Sequence, residues 1–407
     1  MGVEALNSIV VNSDYICLDP ETIVNQKTIV PYEVLKDVED RRRKILKRTE
    51  LPFWRLLGYF EGTCLKAMSV DWLFWVTLSV YIALRIILRN DAWMPGAVDL
   101  GATDVSVLGG FLSFFLVLFV NQSNQRFQEM YKTSMRCPGR IYDICQIVAP
   151  TPIPKVAARR LVRYLNAAHV AGYVGLSRTY SEQEFFCKLN EEFYMLTPHE
   201  LASLKHFEMD HGPDAYHELI SWCMQDIETA FQKNLIDARE KSALKDKTTQ
   251  FRDAMDSLYD YCDQPIHFFY IHFLVLLSAV YLPLFAADNA FNAGIAGKDN
   301  VYWKWDVLSG LIVMVQAIFV IGLRLLGQKM SDPFGDDLED LSVLHYVTTA
   351  WKRSNKMLES HCPDPEVLPE VEDELQRHRK TKAPSSSTTT LSGACTNAGP
   401  ASVAKVV

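Results

Sequence analysis

Apolar residues in this chain gather into a few long runs instead of recurring at the spacing of a soluble core. Four runs stand out, at about Trp72 to Leu88, Val105 to Val120, Ile266 to Ala287 and Val307 to Leu326. Crossing the hydrocarbon core as a helix takes about 20 mainly apolar residues, because every backbone amide must find its partner inside the segment. The four runs are therefore predicted to be membrane spans. The second is short as a strict apolar run and has room to extend into the polar sequence beside it. Trp93, Trp303 and Trp305 fall near span ends, where an interfacial aromatic belt would place them.

The polar remainder has its own periodicity. Residues 121–263, between the second and third spans, far exceed an ordinary loop and are predicted to be structured. Helical spacing runs over Val156 to Leu176, with Arg159, Arg160 and Arg163 on the polar side, then over Ala215 to Arg239 and Lys241 to Tyr261. Ser181 with Glu184 and Thr197 with Glu200 match the capping box, the second with Pro198 at the first helical position. From Pro363 the chain turns polar and repetitive, as in the Ser and Thr run from Ser385 to Thr390, so residues 363–407 are predicted to be a disordered tail. The fold class expected is all-α, with four spans and a large helical region on one side of the membrane.

Charge chooses that side. Arg41, Arg42, Arg43, Lys44, Lys47, Arg48 and Arg55 precede the first span, whereas Asp91, Asp99 and Asp104 occupy its connector to the second. Residues 1–54 are thus predicted to be a cytosolic N-terminal segment. Arg85 and Arg89, at the outer end of the first span, carry the contrary sign but are outnumbered. Arg324 and Lys329 close the fourth span, which puts the C-terminus in the cytosol too.

Composition agrees with this division and excludes several function classes. The 407 residues are 49% hydrophobic yet carry a net charge of −8, as expected for membrane helices joined to sizeable polar regions. Nine cysteines without a Cys-x-x-Cys pair argue against a disulfide framework or a zinc site. The first residues, with Asp14, Asp19 and Glu21, resemble neither a secretory signal nor a transit peptide. His267 and His272 are about 140° apart around a helix and cannot share a metal on one face. There is no Walker loop, dinucleotide fingerprint or nucleophile elbow, so no enzyme is expected. The basic run at Arg41 is accounted for by topology, so no nucleic-acid partner is expected either.

Three patterns, in order and correctly placed against the spans, resemble the bestrophin family of anion channels. They are Arg55-Leu-Leu-Gly-Tyr-Phe-Glu-Gly62-Thr-Cys-Leu-Lys66 before the first span, Asn121-Gln-Ser-Asn-Gln-Arg126-Phe127 closing the second, and Asp332-Pro333-Phe334-Gly335-Asp336-Asp337-Leu-Glu339-Asp340 after the fourth. The third is the most specific. Two places depart from the family: Phe127-Gln128 stands where a double Trp is usual, and Met135-Arg-Cys-Pro138 where a Trp-Pro region is usual. The resemblance implies a channel domain over residues 55–362, a homopentamer around a central pore lined by the second spans, and conduction of chloride and other small anions such as bicarbonate.

Aligned on Arg126, the family's narrow neck falls on Gly110, Phe114 and Leu118. Positions four apart share one helical face, so in a ring of five helices Phe114 and Leu118 would each form an apolar collar. Such a collar can gate by dewetting, and the positive edges of aromatic rings tolerate anions. A span this apolar also brings Phe and Leu to one face by chance, and that face could meet lipid; spacing alone leaves both readings open. Gly110 departs from the bulky residue usual at the outermost collar, and Gly109 with Gly110 could instead serve close helix packing. The cytosolic aperture, counted back from Tyr261, falls nearest Arg239.

The acidic stretch after the fourth span is the candidate metal centre. The resemblance gives Asp337 and Asp340 as calcium-binding side chains, and the backbone carbonyls of Lys329, Asp332 and a residue near Leu46 as further ligands. Calcium takes six to eight oxygens in irregular geometry, which clustered carboxylates and loop carbonyls can supply. The alternative is helix capping, with Asp332 before Pro333 and with Asp336 and Asp337 near a positive helix end. Calcium gates the animal members of the family, so the channel expected is either ligand-gated or constitutive. The competing expectations are a carrier, or a membrane-anchored scaffold whose helices and tail bind proteins. The plasma membrane is the expected host, with an intracellular membrane as the alternative.

Overall fold

The computed structural model describes residues 30–46, 63–88, 102–177, 179–206, 212–264, 266–296, 302–335 and 338–360. The chain divides after Glu359 into two units, and the described helices all belong to the first. In chain order they are α1 (Tyr32–Leu46), α2 (Cys64–Val70), α3 (Trp72–Leu88), α4 (Ala102–Val148) and α5 (Lys155–Ala171). A π-helical turn (Glu182–Cys187) leads into α6 (Lys188–Phe193), followed by α7 (Pro198–His206), α8 (Gly212–Gln232) and α9 (Ala238–Asp263). The series closes with α10 (Phe268–Ala296), α11 (Tyr302–Ser331) and α12 (Val343–Leu358). No strand occurs among the described residues, and the fold is all-α as expected. The tail over residues 363–407 lies outside the described residues.

Among the described residues, three helical stretches are long and apolar enough to cross a membrane: Val105–Val148, Phe268–Ala293 and Lys304–Ser331. The first predicted span, Trp72–Leu88, is apolar but has 17 residues, a length of about 25 Å. These helices share a core of Leu73, Leu112, Leu116, Phe119, Leu274, Leu282, Val320 and Ile321. Two ion pairs join α3 and its N-terminal flank to α11. Arg85 is paired with Asp306 and also donates to the Ala290 carbonyl at 3.1 Å. Asp71, which caps α3 by accepting from the Leu73 amide at 2.9 Å, is paired with Arg324. Arg85, the contrary charge in the topology reading, is thus neutralised within the bundle.

The second span does not end where its apolar run ends. The helix α4 continues unbroken for 47 residues, through Pro138 and well into the segment expected to begin a separate region at residue 121. The cause is tertiary. Beyond Val120 the helix keeps an apolar face, with Met130, Cys137, Ile141, Ile144, Cys145 and Val148 buried in a second core shared with α5, α8, α9 and α12. Neighbours on that face sustain the helix where local sequence would not.

The predicted helix through Arg239 also differs. The chain turns after Gln232, with Asn234 in the left-handed region at φ 54, and α9 begins behind Asp237. Asp237 and Glu240 form a complete capping box, the Glu240 amide donating to Asp237 at 2.6 Å and the Asp237 amide to Glu240 at 2.9 Å. The predicted box at Thr197 and Glu200 is present in both directions. At Ser181 only half forms, because the Glu184 carboxylate accepts instead from the Tyr32 amide of α1 at 3.2 Å.

That contact is one of several that seat α1. Tyr32 donates its hydroxyl to Glu192 at 2.7 Å, Lys36 pairs with the same carboxylate at 2.8 Å, and Arg43 donates to His345 Nδ1 of α12 at 3.0 Å. The N-terminal helix, the body between the second and third spans, and the segment after the fourth therefore lie together at one end of the apolar bundle.

Candidate functional site

The rotation of α4 decides which side chains face away from the other helices. Its buried face is fixed by specific contacts. Tyr270 of α10 donates its hydroxyl to the Phe115 carbonyl at 2.8 Å and lays its ring edge-on to Phe119 at 5.9 Å. Phe115 meets Phe273 edge-on at 5.6 Å. Gly109 admits Tyr281, whose oxygen lies 2.6 Å from where a β-carbon would stand, and Gln316 of α11 donates to that hydroxyl at 3.2 Å. Leu112, Leu116 and Phe119 are fully buried as a result.

The opposite face carries the predicted neck. Phe114 is 60% exposed and Leu118 43% exposed in the single chain, and a β-carbon on Gly110 would meet nothing within 4 Å. Of the two adjacent glycines, Gly109 serves close helix packing and Gly110 does not. Further down the helix polar residues are exposed at Asn121, Gln122, Gln125, Gln128 and Lys132, beside exposed Tyr131 and Met135. One uncovered stripe thus runs along the helix, apolar within the bundle and carrying amides among other side chains below it.

Arg126 anchors the junction where the stripe changes character. Its guanidinium donates to the Gln264 carbonyl at 2.6 Å and to the Tyr261 carbonyl, gripping the chain between α9 and α10. Arg239 sits exposed in the first turn of α9, about 33 Å along that helix from Tyr261, at the end remote from the bundle.

The turn after α11 gathers several of the acidic-site residues. The Leu341 amide donates to the Pro333 carbonyl at 2.9 Å and closes the turn. Phe334 is buried against Tyr173, with ring centroids 6.0 Å apart. Lys329 pairs with Glu339 at 2.9 Å, and Asp332 is exposed just after α11. Asp340 is buried and faces Arg42 of α1 at 3.8 Å. Leu46 closes α1, while Asp336 and Asp337 lie outside the described residues.

These observations and the sequence meet in a family model. The model described as bestrophin, RFP-TM, chloride channel matches residues 42–359. The chain belongs to the bestrophin family. The crystal structure of a bacterial bestrophin homologue from Klebsiella pneumoniae matches with a TM-score of 0.56 at 14% identity, over 71% of this chain and 98% of that one. A mutant of the Klebsiella homologue matches with a TM-score of 0.58 at 15% identity, with the same coverage. At that identity the likeness speaks for the fold. No curated protein matches the sequence.

In this bestrophin the described part of the acidic site already holds a cation of the chain, the Arg42 guanidinium. Arg42 Nη1 donates to the Leu341 carbonyl at 3.2 Å and Nη2 to the Gly335 carbonyl at 3.3 Å. With Arg42 at 3.8 Å, a calcium ion bound to the same Asp340 oxygen at about 2.4 Å would lie within about 6 Å of the guanidinium. The Arg42 charge opposes an ion at that distance by about 5 kcal/mol at an effective dielectric constant of about 20, set against the attraction of the Asp340 and Glu39 carboxylates. Among the described residues no three His, Cys, Asp or Glu side chains converge as a metal site would require. Burial raises the Tyr180 phenol well above its ordinary value, with Asp340 and Glu39 adding to the effect and Arg42 opposing it. His345 is lowered, first by burial and then by the Arg43 charge beside it.

Sequence reasoning missed Arg42 as an individual, because within a basic run before a span it reads as a topology signal. It also missed the Asp237 cap, for which the four-residue signature from Asp237 to Glu240 was available.

Proposed function

We propose that this bestrophin is a passive anion channel: five copies surround a common axis, α4 lines the pore, and chloride and bicarbonate pass between the collars of Phe114 and Leu118. The observation that carries the reading is the uncovered stripe on α4. A row serving only lipid contact has no use for the amides of Asn121, Gln122 and Gln125 in continuation of Phe114 and Leu118, whereas a pore opening into a wet vestibule does. Gly110 leaves the outer collar wide.

The packing of α1 on the body also favours four crossings. With α1, residues 121–263 and α12 on one side, the chain must cross an even number of times between each of them, so the 17-residue α3 crosses as well. Both termini are then cytosolic, in agreement with the basic flank before α3. We take residues 55–362 as the channel domain and the plasma membrane as its host.

Purified protein in planar bilayers tests the reading. Unitary anion-selective current is expected, enlarged when Phe114 and Leu118 are both changed to Ala. Saturable flux without unitary steps would indicate a carrier, and silence a scaffold.

A further inference from the structure

The turn after α11 offers what a hard cation seeks, a carboxylate and two main-chain carbonyls turned inward, yet a cation belonging to the chain already reaches it. Arg42 lies on the helix before the first span, and its partners lie about three hundred residues later, after the fourth. It is 6% exposed, bonded to the Gly335 and Leu341 carbonyls at either end of the turn and facing the Asp340 carboxylate between them. Behind it stands a second buried carboxylate, Glu39, at 3.8 Å, which also accepts from Arg43 at 3.4 Å.

The charges of this group, Arg42 and Arg43 against Glu39 and Asp340, sum to zero. A guanidinium does not lose its proton at any accessible pH, and its planar fork reaches two carbonyls at once, which a lysine ammonium cannot do with the same geometry. The charge in the turn is therefore permanent, and its position follows that of α1, which is itself held by Glu192 and His345.

We propose that Arg42 is a chain-borne cation at the turn after the fourth span, set against Asp340, one of the two carboxylates that the family resemblance gives to calcium, so that the N-terminal helix is fastened to the turn, and the channel conducts, without calcium. The second half of the proposal rests on the channel reading above; the first half does not. A bound ion couples such a turn to its concentration in the cytosol. A tethered one couples it to the seating of the N-terminal helix.

The test uses the purified full-length protein in lipid nanodiscs and reads its melting temperature. The wild-type protein is expected to melt at the same temperature in chelator and in millimolar calcium. Arg42→Gln and Asp340→Asn are each expected to lower it by several degrees, and the double variant to lose clearly less than the sum of the two, because both singles break the same contact. Calcium that raises the wild-type melting temperature, or losses that add in full, overturns the proposal. Should the Arg42 variant not fold, the wild-type comparison in chelator and calcium decides by itself. In bilayers the open probability is expected to be unchanged by chelator. Melting does not depend on conduction, so silent bilayers with a coupled, calcium-indifferent pair would sink the channel reading and leave the Arg42 tether standing.

Discussion

Arg85 on α3 and Asp306 near the start of α11 are joined side-on, with the arginine Nε donating to the carboxylate at 2.7 Å. Tyr81, one turn earlier on α3, donates its hydroxyl to the Asp306 carbonyl at 2.7 Å. The pair lies at the far end of the bundle from Asp71 and Arg324, so the two antiparallel helices are fastened at both ends.

Breaking one partner of such a pair leaves a charge with reduced access to water, at a cost below the roughly 3–5 kcal/mol of a fully buried pair because the Asp306 carboxylate is 32% exposed. Arg85→Met or Asp306→Asn alone should therefore lower the melting temperature of the detergent-purified protein markedly. The charge-reversed double variant, Arg85→Asp with Asp306→Arg, should recover part of the loss. Equal losses in the double and the sum of the singles would mean that the contact contributes little.

The adjacent glycines of α4 give opposite expectations. A methyl on Gly109 would collide with the Tyr281 hydroxyl and displace its bond from Gln316, whereas one on Gly110 meets nothing within 4 Å. Gly109→Ala should cost about 1–3 kcal/mol, the usual range for overpacking, and Gly110→Ala should leave stability unchanged. Enlarging position 110 to Phe should leave the fold intact but reduce unitary conductance, since that face is turned to the proposed axis. Stability losses of the same size at both positions would place the packing face elsewhere.

The apolar helices were legible because lipid imposes a simple rule on sequence, long apolar runs flanked by charge, and α3, α10 and α11 lie where those runs lie. The lower half of α4 was not, because residues from Asn121 to Val148 are helical through contacts with α9 and α12 that no local pattern encodes, and Pro138 reads as a stop. The neck row could be placed by alignment on Arg126, but which face of α4 is covered depends on Tyr270, Phe273 and Tyr281, far away in sequence. Arg42 shows the same gap at a single residue. A basic run before a span announces the cytosol, and nothing in it distinguishes the one arginine that crosses to Asp340 from those that remain on the surface.

The last prediction concerns acid. His169 of α5 is fully buried, neither ring nitrogen has a hydrogen-bond partner, and its neighbours are the rings of Tyr173 at 5.5 Å and Phe251 at 6.1 Å. Burial pushes its pKa down from the ordinary 6.5 to about 3. Between those two values the unfolded chain binds a proton that the folded chain refuses, so the stability tied to a neutral His169 is complete above the ordinary value and is lost as pH falls toward the folded one. The full difference is on the order of 5 kcal/mol, at about 1.4 kcal/mol per unit. His169→Leu removes the titration while keeping an apolar contact with both rings. Melting followed from neutral pH down to about pH 5 should fall steeply for the wild type and less steeply for the variant, over the window in which the unfolded histidine titrates. Parallel curves would show that protonation elsewhere sets the acid limit of this body.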